Sequence, residues 1–435
     1  LLQILSNVSW LFADKVLRLG LGLLVGVWVA RYLGPTLLGA LSYATAFVGL
    51  FDALAGLGLK GIVVRDLVRK PEETGAMLGT ATVLLLLAGG LAYLLALAGI
   101  VWLRADDPLA TLLVAIVGSS LLFKASEVAA FWFEARVLSK YVVWVQNASF
   151  LGLAAVKVLL ILGGASVVSF AWASLAEAAV AAALLVLVLR AKGPGFAAFT
   201  VRSAVSLRLL RESWPLLLSS VAIIFYMRID RVMLGQLAGD EAVGIYSAAA
   251  RLSEAWYFVP TAIVASVFPA ILRARAENDA LYWSRLQRLL DLLAWLAIAA
   301  AVPTTFLAGW LITLLFGDAY AAGGPVLAIH IWASVFVFVG VATSAWMLAE
   351  GRQILALQRA VLGAVTNLGL NAILIPPFGI YGAASATVIA YGCSVFLLDP
   401  FQREVRRFFT MKMAALYLPG VLRRFATALR EERER

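Results

Sequence analysis

Long apolar stretches follow one another along almost the whole chain, and short segments rich in Gly, Pro or charged residues separate them. A helix needs about 20 apolar residues to cross ~30 Å of hydrocarbon, and about twelve stretches meet that length. The first six predicted spans are Ser9–Leu33, Leu37–Val64, Gly75–Leu103, Leu109–Phe133, Tyr141–Leu162 and Val167–Leu189. The second six are Trp214–Leu237, Val243–Leu272, Leu289–Phe316, Val326–Ala349, Ile354–Pro376 and Ile380–Leu398. The pattern predicts an all-α polytopic membrane protein.

Composition strengthens this prediction, because 63% of the 435 residues are hydrophobic and only 14% are charged. A soluble protein of this size needs a largely polar surface, so that class is excluded. The single cysteine, Cys393, lies in an apolar run and is expected to be a small buried residue.

Basic residues concentrate on one side of the predicted membrane. With the amino terminus inside, the outer connections hold only Arg31 and Arg104, whereas the inner connections and the tail hold most other Lys and Arg residues. This bias predicts an even number of spans with both termini cytoplasmic. It also accounts for the net charge of +10 without a nucleic-acid partner. The outer connections are too short for an external catalytic domain.

The two halves of the sequence resemble each other. Gly34, Gly39, Ser42 and Ala44 recur 205 residues later as Gly239, Gly244, Ser247 and Ala249. We therefore expect two similarly oriented lobes of six spans each, at 1–190 and 213–398, with a basic linker at 191–212 and a basic tail at 399–435. Repeats of this kind place the cargo site in a cavity between the lobes.

The tail has two alternative interpretations. Arg403, Arg406, Arg407 and Lys412 surround Phe408 and Phe409. This pattern is typical of a basic amphipathic helix that rests on anionic lipids of the inner leaflet. The alternative is a solvated tail that only helps to orient the chain.

Basic side chains within the predicted spans are the strongest candidates for function. A lipid-facing charge near the membrane centre costs at least ~2.5–3.5 kcal/mol, so these residues must be paired or must line a wet cavity. A cationic cavity indicates an anionic cargo. Lys15 and Arg18 share one face of the first span, and Arg228 and Arg231 repeat the spacing in the seventh. The predicted cavity cations are Lys15, Arg18, Lys60, Lys124, Lys157, Arg228, Arg231 and Arg251.

Acidic residues in the spans offer the alternative explanation, which is structural ion pairing. The candidates, which would also serve proton or sodium coupling, are Asp14, Asp52, Glu127, Glu177, Asp230, Glu254 and Asp291. Lys124 with Glu127 and Arg251 with Glu254 are spaced for local pairs. Lys157 stands alone in its span and is expected to be exposed to water. His330 is expected to be a packing residue. No metal-ligand spacing, Walker motif or nucleophile signature predicts a metal, a cofactor or an enzyme.

Two segments resemble the polysaccharide biosynthesis flippases of the Wzx, O-antigen type. The first runs from Trp10-Leu11-Phe12-Ala13-Asp14-Lys15 through Gly34-Pro35 to Gly39-Ala40-Leu41-Ser42, and the second is Arg228-Ile229-Asp230-Arg231 with Gly244-Ile245-Tyr246-Ser247. The resemblance implies a fold like the multidrug and toxin exporters (MATE), with a cation-lined cavity between two six-helix bundles. It also implies a multi-pass protein of the bacterial inner membrane that moves undecaprenyl-pyrophosphate-linked oligosaccharide to the periplasmic leaflet, with other polysaccharide assembly proteins as possible partners.

Two other functions remain open from the sequence. A MATE-like exporter of small cations would need an acidic cavity, whereas the charges within the spans lean basic. A membrane glycosyltransferase or glycan polymerase would need a sizeable outer loop, and the predicted loops are short.

Overall fold

The computed structural model describes residues 2–195, 198–403, 405–421 and 424, with the backbone alone at 2–17, 276 and 277. Within these ranges the chain is almost entirely helical and forms no strand. The helices of the first half are α1 (Leu2–Gly56), α2 (Lys60–Arg69), α3 (Thr74–Leu103), α4 (Pro108–Gly118), α5 (Glu127–Ala135), α6 (Lys140–Leu162) and α7 (Val167–Lys192). Those of the second half are α8 (Ser203–Leu237), α9 (Gly239–Glu254), α10 (Phe258–Glu277), α11 (Asp279–Phe316), α12 (Gly323–His330), α13 (Ala333–Ala349), α14 (Gln353–Phe396) and α15 (Arg406–Leu416).

Nine helical stretches of the described residues are long and apolar enough to cross a membrane. Two of them, Arg18–Arg69 and Gln353–Phe401, are each long enough for two spans and contain a sharp turn, at Gly34 and Gly379. The more polar α8 has spanning length but is not among the nine. Division at the two glycines and inclusion of α8 give helices that match the twelve predicted spans. The prediction of an all-α, multi-pass membrane protein is confirmed, and the grouping into two sets of six stays a prediction.

Large apolar side chains cover much of the helix surface. Trp102, Phe306 and Leu87 are 83%, 84% and 66% exposed. Isolated exposed apolar residues are normal in soluble proteins, but contiguous apolar faces are not. These faces are suited to contact with lipid.

Gly34 and Gly239, which correspond in the sequence repeat, both have positive φ. Gly34 has φ of 71° and Gly239 has φ of 85°. Residues with a side chain rarely adopt this left-handed region, so glycine is the residue that permits the turn. Each half therefore contains the predicted tight turn between its first and second spans.

The described chain divides into two compact units, 24–244 in one and 1–23 with 245–435 in the other. The core of the first is built around α2, α3 and α5, with Leu78, Leu85 and Phe133 fully buried. The core of the second is built around α11 and α13, with Leu290, Leu293 and Phe338 fully buried. Because α8 ends at Leu237, the seventh predicted span belongs to the unit that holds most of the first half.

The tail helix α15 packs against the helices of its own unit. The ring of Phe408 stacks on Trp346 with ring centroids 4.6 Å apart, and Trp295 Nε1 donates to the carbonyl oxygen of Ala415 at 3.0 Å. Arg424 Nε and its NH2 nitrogen donate to the two carboxylate oxygens of Asp291 at 2.7 and 2.8 Å. The described part of the tail is therefore anchored to the protein rather than solvated. Contact with anionic lipid stays a prediction, and residues 425–435 lie outside the described residues.

A buried ion cluster fixes α15 in place. The Asp399 carboxylate is fully buried, and it pairs with Arg359 and, at 2.5 Å, with Lys412 Nζ. Arg359 lies within the predicted span Ile354–Pro376, and the structure places its side chain in α14, where it is only 6% exposed. Burial lowers the pKa of Lys412 to about 7, with the charge of Arg359 adding to the shift and Asp399 opposing it.

We expect Asp399→Ala to destabilise the detergent-solubilised protein by about 3–5 kcal/mol, because it leaves the buried guanidinium of Arg359 without its counter-ion. Lys412→Met is the matched control. It removes one desolvated charge but keeps the Arg359–Asp399 pair, so a change within about 1 kcal/mol is expected. Thermal unfolding of the three proteins measures both effects, and equal losses in the two variants would contradict the assigned role of Asp399.

The same lysine predicts a dependence of stability on pH. The pKa of Lys412 is about 7 in the folded protein, and the unfolded chain has the ordinary lysine value of ~10.4. Between these values the unfolded chain binds more protons, so folding stability should rise with pH across this window. We expect this contribution in the wild type and its absence in Lys412→Met. Parallel stability curves for the two proteins from pH 7 to pH 10 would contradict it.

Candidate functional site

In the unit of residues 24–244, the last third of α8 carries two arginines on neighbouring positions of one face. Arg228 and Arg231 are three residues apart, which places them one above the other along the helix. The Arg228 side chain lies directly against the backbone of Gly49 in α1. A Cβ added to Gly49 would come within 2.7 Å of Arg228 Cδ and 2.9 Å of its Nε. Gly49 therefore leaves the space that the guanidinium occupies.

A second charged group meets α1 one turn from Gly49. Lys124 Nζ pairs with Asp52 at 2.8 Å and with Glu127 at 2.9 Å. Lys124 lies in a 3-10 segment, Ser119–Ser126, that interrupts the fourth span between α4 and α5. Mid-helix 3-10 segments often mark functional or strained positions. The predicted Lys124–Glu127 ion pair is therefore present, and Asp52 of the second span also joins it.

Two further predicted cations have carboxylate partners. Lys157 Nζ pairs with Glu177 at 3.0 Å between the neighbouring helices α6 and α7. The expectation that Lys157 lacks a neighbour is therefore wrong, because its partner lies 20 residues away in the sequence and becomes adjacent only when the helices pack. Lys60 Nζ pairs with Glu134 at 2.9 Å, where both side chains are largely exposed.

In the unit of residues 1–23 and 245–435, two of the predicted site residues lie beside a helix interruption. Arg251 is exposed in the last turn of α9, and Glu254 ends that helix before the 3-10 segment Ala255–Tyr257. Arg18 is half-buried in α1. Asp291, a predicted coupling or pairing acid, is fully buried and is held by Arg424 of the tail. Lys15 and Asp14 lie outside the residues whose side chains the structure describes.

His330 ends α12 and is almost fully buried. Its Nδ1 lies 3.0 Å from Ser253 Oγ, and the Ser253 hydroxyl donates to the backbone carbonyl of His330 at 3.2 Å. Because that hydroxyl proton is already used, the contact suits a ring with its proton on Nδ1. This arrangement is the one expected of a packing histidine.

The buried carboxylate Asp230 lies between the two arginines of α8 in the sequence. It is 3% exposed, and its Oδ1 accepts a hydrogen bond from the backbone nitrogen of Arg231 at 2.8 Å. The sequence identified Asp230 but missed Gly49. The only sign of Gly49 in the sequence is a glycine within the apolar second span. Its contact with Arg228 is determined by tertiary packing, so the sequence pattern does not reveal it.

The spacing of possible ligands in the sequence predicts no metal site. Among the described residues, no group of three or more His, Cys, Asp or Glu side chains is arranged to hold a metal ion. The polar groups brought together in each unit are instead cations with carboxylates, and arginine with backbone.

The model of the family described as polysaccharide biosynthesis protein matches residues 4–275 of the 435. The chain belongs to this family. The match covers α1 to α9 and reaches into α10, so it includes the segment around Arg228 and Gly49.

Curated relatives of this polysaccharide biosynthesis protein come from an archaeon and a bacterium. The probable low-salt glycan biosynthesis flippase Agl15 of Haloferax volcanii is 24% identical over 89% of this chain and 81% of its own length. The probable flippase AglR of the same organism is 32% identical over 38% of this chain and 35% of its own length. The putative O-antigen transporter of Shigella dysenteriae is 26% identical over 40% of this chain and 43% of its own length. The latter two matches thus span less than half of those relatives.

Solved structures confirm the fold. A structure of the lipid II flippase MurJ in an inward closed conformation aligns with a TM-score of 0.73 at 16% identity, over 98% of this chain and 92% of that one. An inward-facing MATE-family multidrug resistance transporter aligns with a TM-score of 0.68 at 16% identity, over 94% and 95%. The predicted MATE-like fold is confirmed.

Variants of the Lys157–Glu177 pair test whether Lys157 is held in a structural ion pair or lines a water-filled cavity. We expect Glu177→Gln to destabilise the protein by about 1–3 kcal/mol, because Lys157 then keeps its charge without its partner. The double variant Lys157→Met with Glu177→Leu removes both charges and should recover most of this loss.

Thermal unfolding in detergent measures these variants, with Ser174→Ala as the control on the same helix. The Ser174 hydroxyl bonds only within α7, to the carbonyl oxygen of Phe170 at 3.0 Å, so little change is expected. If Glu177→Gln leaves stability unaltered, Lys157 is solvated and does not depend on the pair.

Proposed function

We propose that this protein is a flippase that moves a lipid-linked glycan across the membrane. The observation that carries the proposal is the pair Arg228 and Arg231 on α8, in a multi-pass chain of the polysaccharide biosynthesis family. The relatives named above support it, since two are described as flippases and one as a transporter, none as an enzyme.

The chemistry of the pair suits a phosphate headgroup. Guanidinium is charged at all physiological pH values and presents a planar fork of donors that matches phosphate oxygens. Arg228 is held against Gly49 rather than extended along lipid, which lowers the entropy lost when a ligand binds. Lys124 meets α1 at Asp52, one turn from Gly49, and its ion pairs with Asp52 and Glu127 add polar surroundings.

In its full form, the proposal names undecaprenyl-pyrophosphate-linked oligosaccharide as the cargo. The pyrophosphate binds the arginines, the polyprenyl chain stays in lipid, and rocking of the two predicted lobes carries the headgroup from the cytoplasmic to the periplasmic leaflet. Lys15, Arg18 and Arg251 belong to the same proposed set of cavity cations. Lys60, Lys124 and Lys157 were predicted with them, and each forms an ion pair with a carboxylate. An inner-membrane location with both termini cytoplasmic, and coupling to a proton or sodium gradient, are parts of the proposal.

The alternative of a cation exporter is less well supported. Such a protein needs carboxylates available for a positively charged cargo. Asp52, Glu127 and Glu177 already pair with lysines, and Asp291 pairs with Arg424. Four of the seven acids predicted from the sequence thus take part in ion pairs, with three cations of the protein itself.

Replacement of Arg228 or Arg231 by Ala should reduce transport of lipid-linked oligosaccharide by about 10- to 100-fold. That range corresponds to the loss of one hydrogen bond between charged groups. The measurement is translocation of a polyprenyl-pyrophosphate oligosaccharide in vesicles containing the purified protein. Normal transport by both variants would overturn the assignment of the cargo site.

A glycine substitution tests the same site without removal of charge. Gly49→Ala places a methyl group where the Arg228 side chain lies, so transport should fall by a similar factor. Gly56→Ala is the control, because it makes the same change at the end of α1 where a Cβ meets nothing within 4 Å. Equal effects of the two alanines would mean that helix stability, and not the position of Arg228, controls transport.

A further inference from the structure

The repeat glycines Gly39 and Gly244 lie against each other's helix within the unit of residues 24–244. A Cβ added to Gly39 would overlap the carbonyl oxygen of Asp240 and lie 2.9 Å from the Gly244 nitrogen. A Cβ added to Gly244 would overlap the carbonyl oxygen of Pro35 and lie 3.1 Å from the Gly39 nitrogen. Pro35 and Asp240 have the same offset of 205 residues as the two glycines. The contact is therefore reciprocal, as contacts across a two-fold axis are.

Arg104 binds the same place from a third direction. It lies between α3 and α4 and is one of the two basic residues that the charge bias places outside the membrane. One of its terminal nitrogens donates to Asp240 at 2.8 Å and to Asp107 at 3.2 Å, and the other donates to the carbonyl oxygen of Gly235. The side chain is 10% exposed. One of the two exceptions to the positive-inside pattern is thus a residue whose donors are used inside the protein.

Tyr43 completes the group. The Arg104 guanidinium lies 3.8 Å from the centre of the Tyr43 ring, a cation–π contact. The Tyr43 hydroxyl accepts a hydrogen bond from the Gln236 side-chain amide at 2.7 Å. A Cβ at Gly235 would come within 2.7 Å of Arg104 and would overlap the Tyr43 ring, so a side chain at 235 would separate these groups. Arg104, at the end of α3, thereby connects the second span with the turn between α8 and α9.

We propose that Arg104, Asp240, Tyr43 and the glycine pair form an outer clamp, which keeps the path to the outer leaflet closed and must separate for cargo to leave. The clamp rests on the proposed flippase function. Its composition suits reversible closure. The glycine contact gives a tight seal without interlocking side chains, and the closing energy comes from a few charged and aromatic contacts that water can replace. Arg104 is a positioning residue of the transport cycle and does not touch cargo.

The test measures exposure of a position beneath the clamp. Ala46 is 1% exposed and lies one turn along α1 from both Tyr43 and Gly49. We would introduce Ala46→Cys into a Cys393→Ala background and follow its reaction with a membrane-impermeant maleimide added outside intact cells. Arg104→Ala and Asp240→Asn should each raise the labelling rate about tenfold, the factor that corresponds to 1.4 kcal/mol. Arg104→Lys, which keeps the charge but not the fork, should give a smaller increase.

Asp106→Asn is the matched control, since it removes the same charge from the same outer loop at an exposed position and should leave labelling unchanged. Labelling from the cytoplasmic face, in inside-out vesicles, separates clamp opening from general loosening. The clamp is overturned if Arg104→Ala and Asp240→Asn leave outside labelling unaltered. It is also overturned if they raise labelling equally from both faces, or if Asp106→Asn acts as they do. Because labelling needs no cargo, normal transport by the Arg228 variants would sink the proposed cargo and leave the clamp standing.

Discussion

The structure depends on one constraint, which is that a charged side chain removed from water loses its hydration and must be compensated by the protein. In hydrocarbon or in a packed helix bundle an isolated ion is far less stable than in solution, so each buried charge needs a partner nearby. Lys124 has two carboxylates, Lys157 has one, and Asp399 is shared by Arg359 and Lys412. The Lys124–Asp52 pair joins elements that are distant in sequence, whereas the Lys157–Glu177 pair joins two consecutive helices. Each pair requires the elements that carry it to lie side by side.

Close approach of helix backbones at glycines is the second feature that holds the helices together, and it also positions some of the charged side chains. Glycine at 39, 49, 235 and 244 removes the side chain at points where another helix or an arginine lies within van der Waals distance. Membrane helices associate largely through such packing, because lipid supplies no hydrophobic force between them. At Gly49 and Gly235 the freed space holds a guanidinium, so a small residue on one helix positions a charge carried by another element.

Elements determined by local sequence could be predicted, and those determined by packing could not. Hydropathy located the spans, and the repeated glycines located the turns at Gly34 and Gly239, since both depend on a few neighbouring residues. The i,i+3 pair Lys124–Glu127 was predicted for the same reason. The partners of Lys157 and Arg359 and the docking of α15 depend on which helices meet, which span periodicity does not specify. In the candidate site, Arg228 and Arg231 were identified by their cost in a membrane, but the role of Gly49 needed the position of α8 beside α1.

The ion pair of the buried Asp291 can form only after a residue much later in the chain has been synthesised. Asp291 belongs to α11, yet the arginine that neutralises it, Arg424, is synthesised 133 residues later. Until Arg424 has been synthesised, Asp291 lacks this partner within the growing bundle. The docking of the segment that carries Arg424 therefore follows the synthesis of α11 and completes the ion pair.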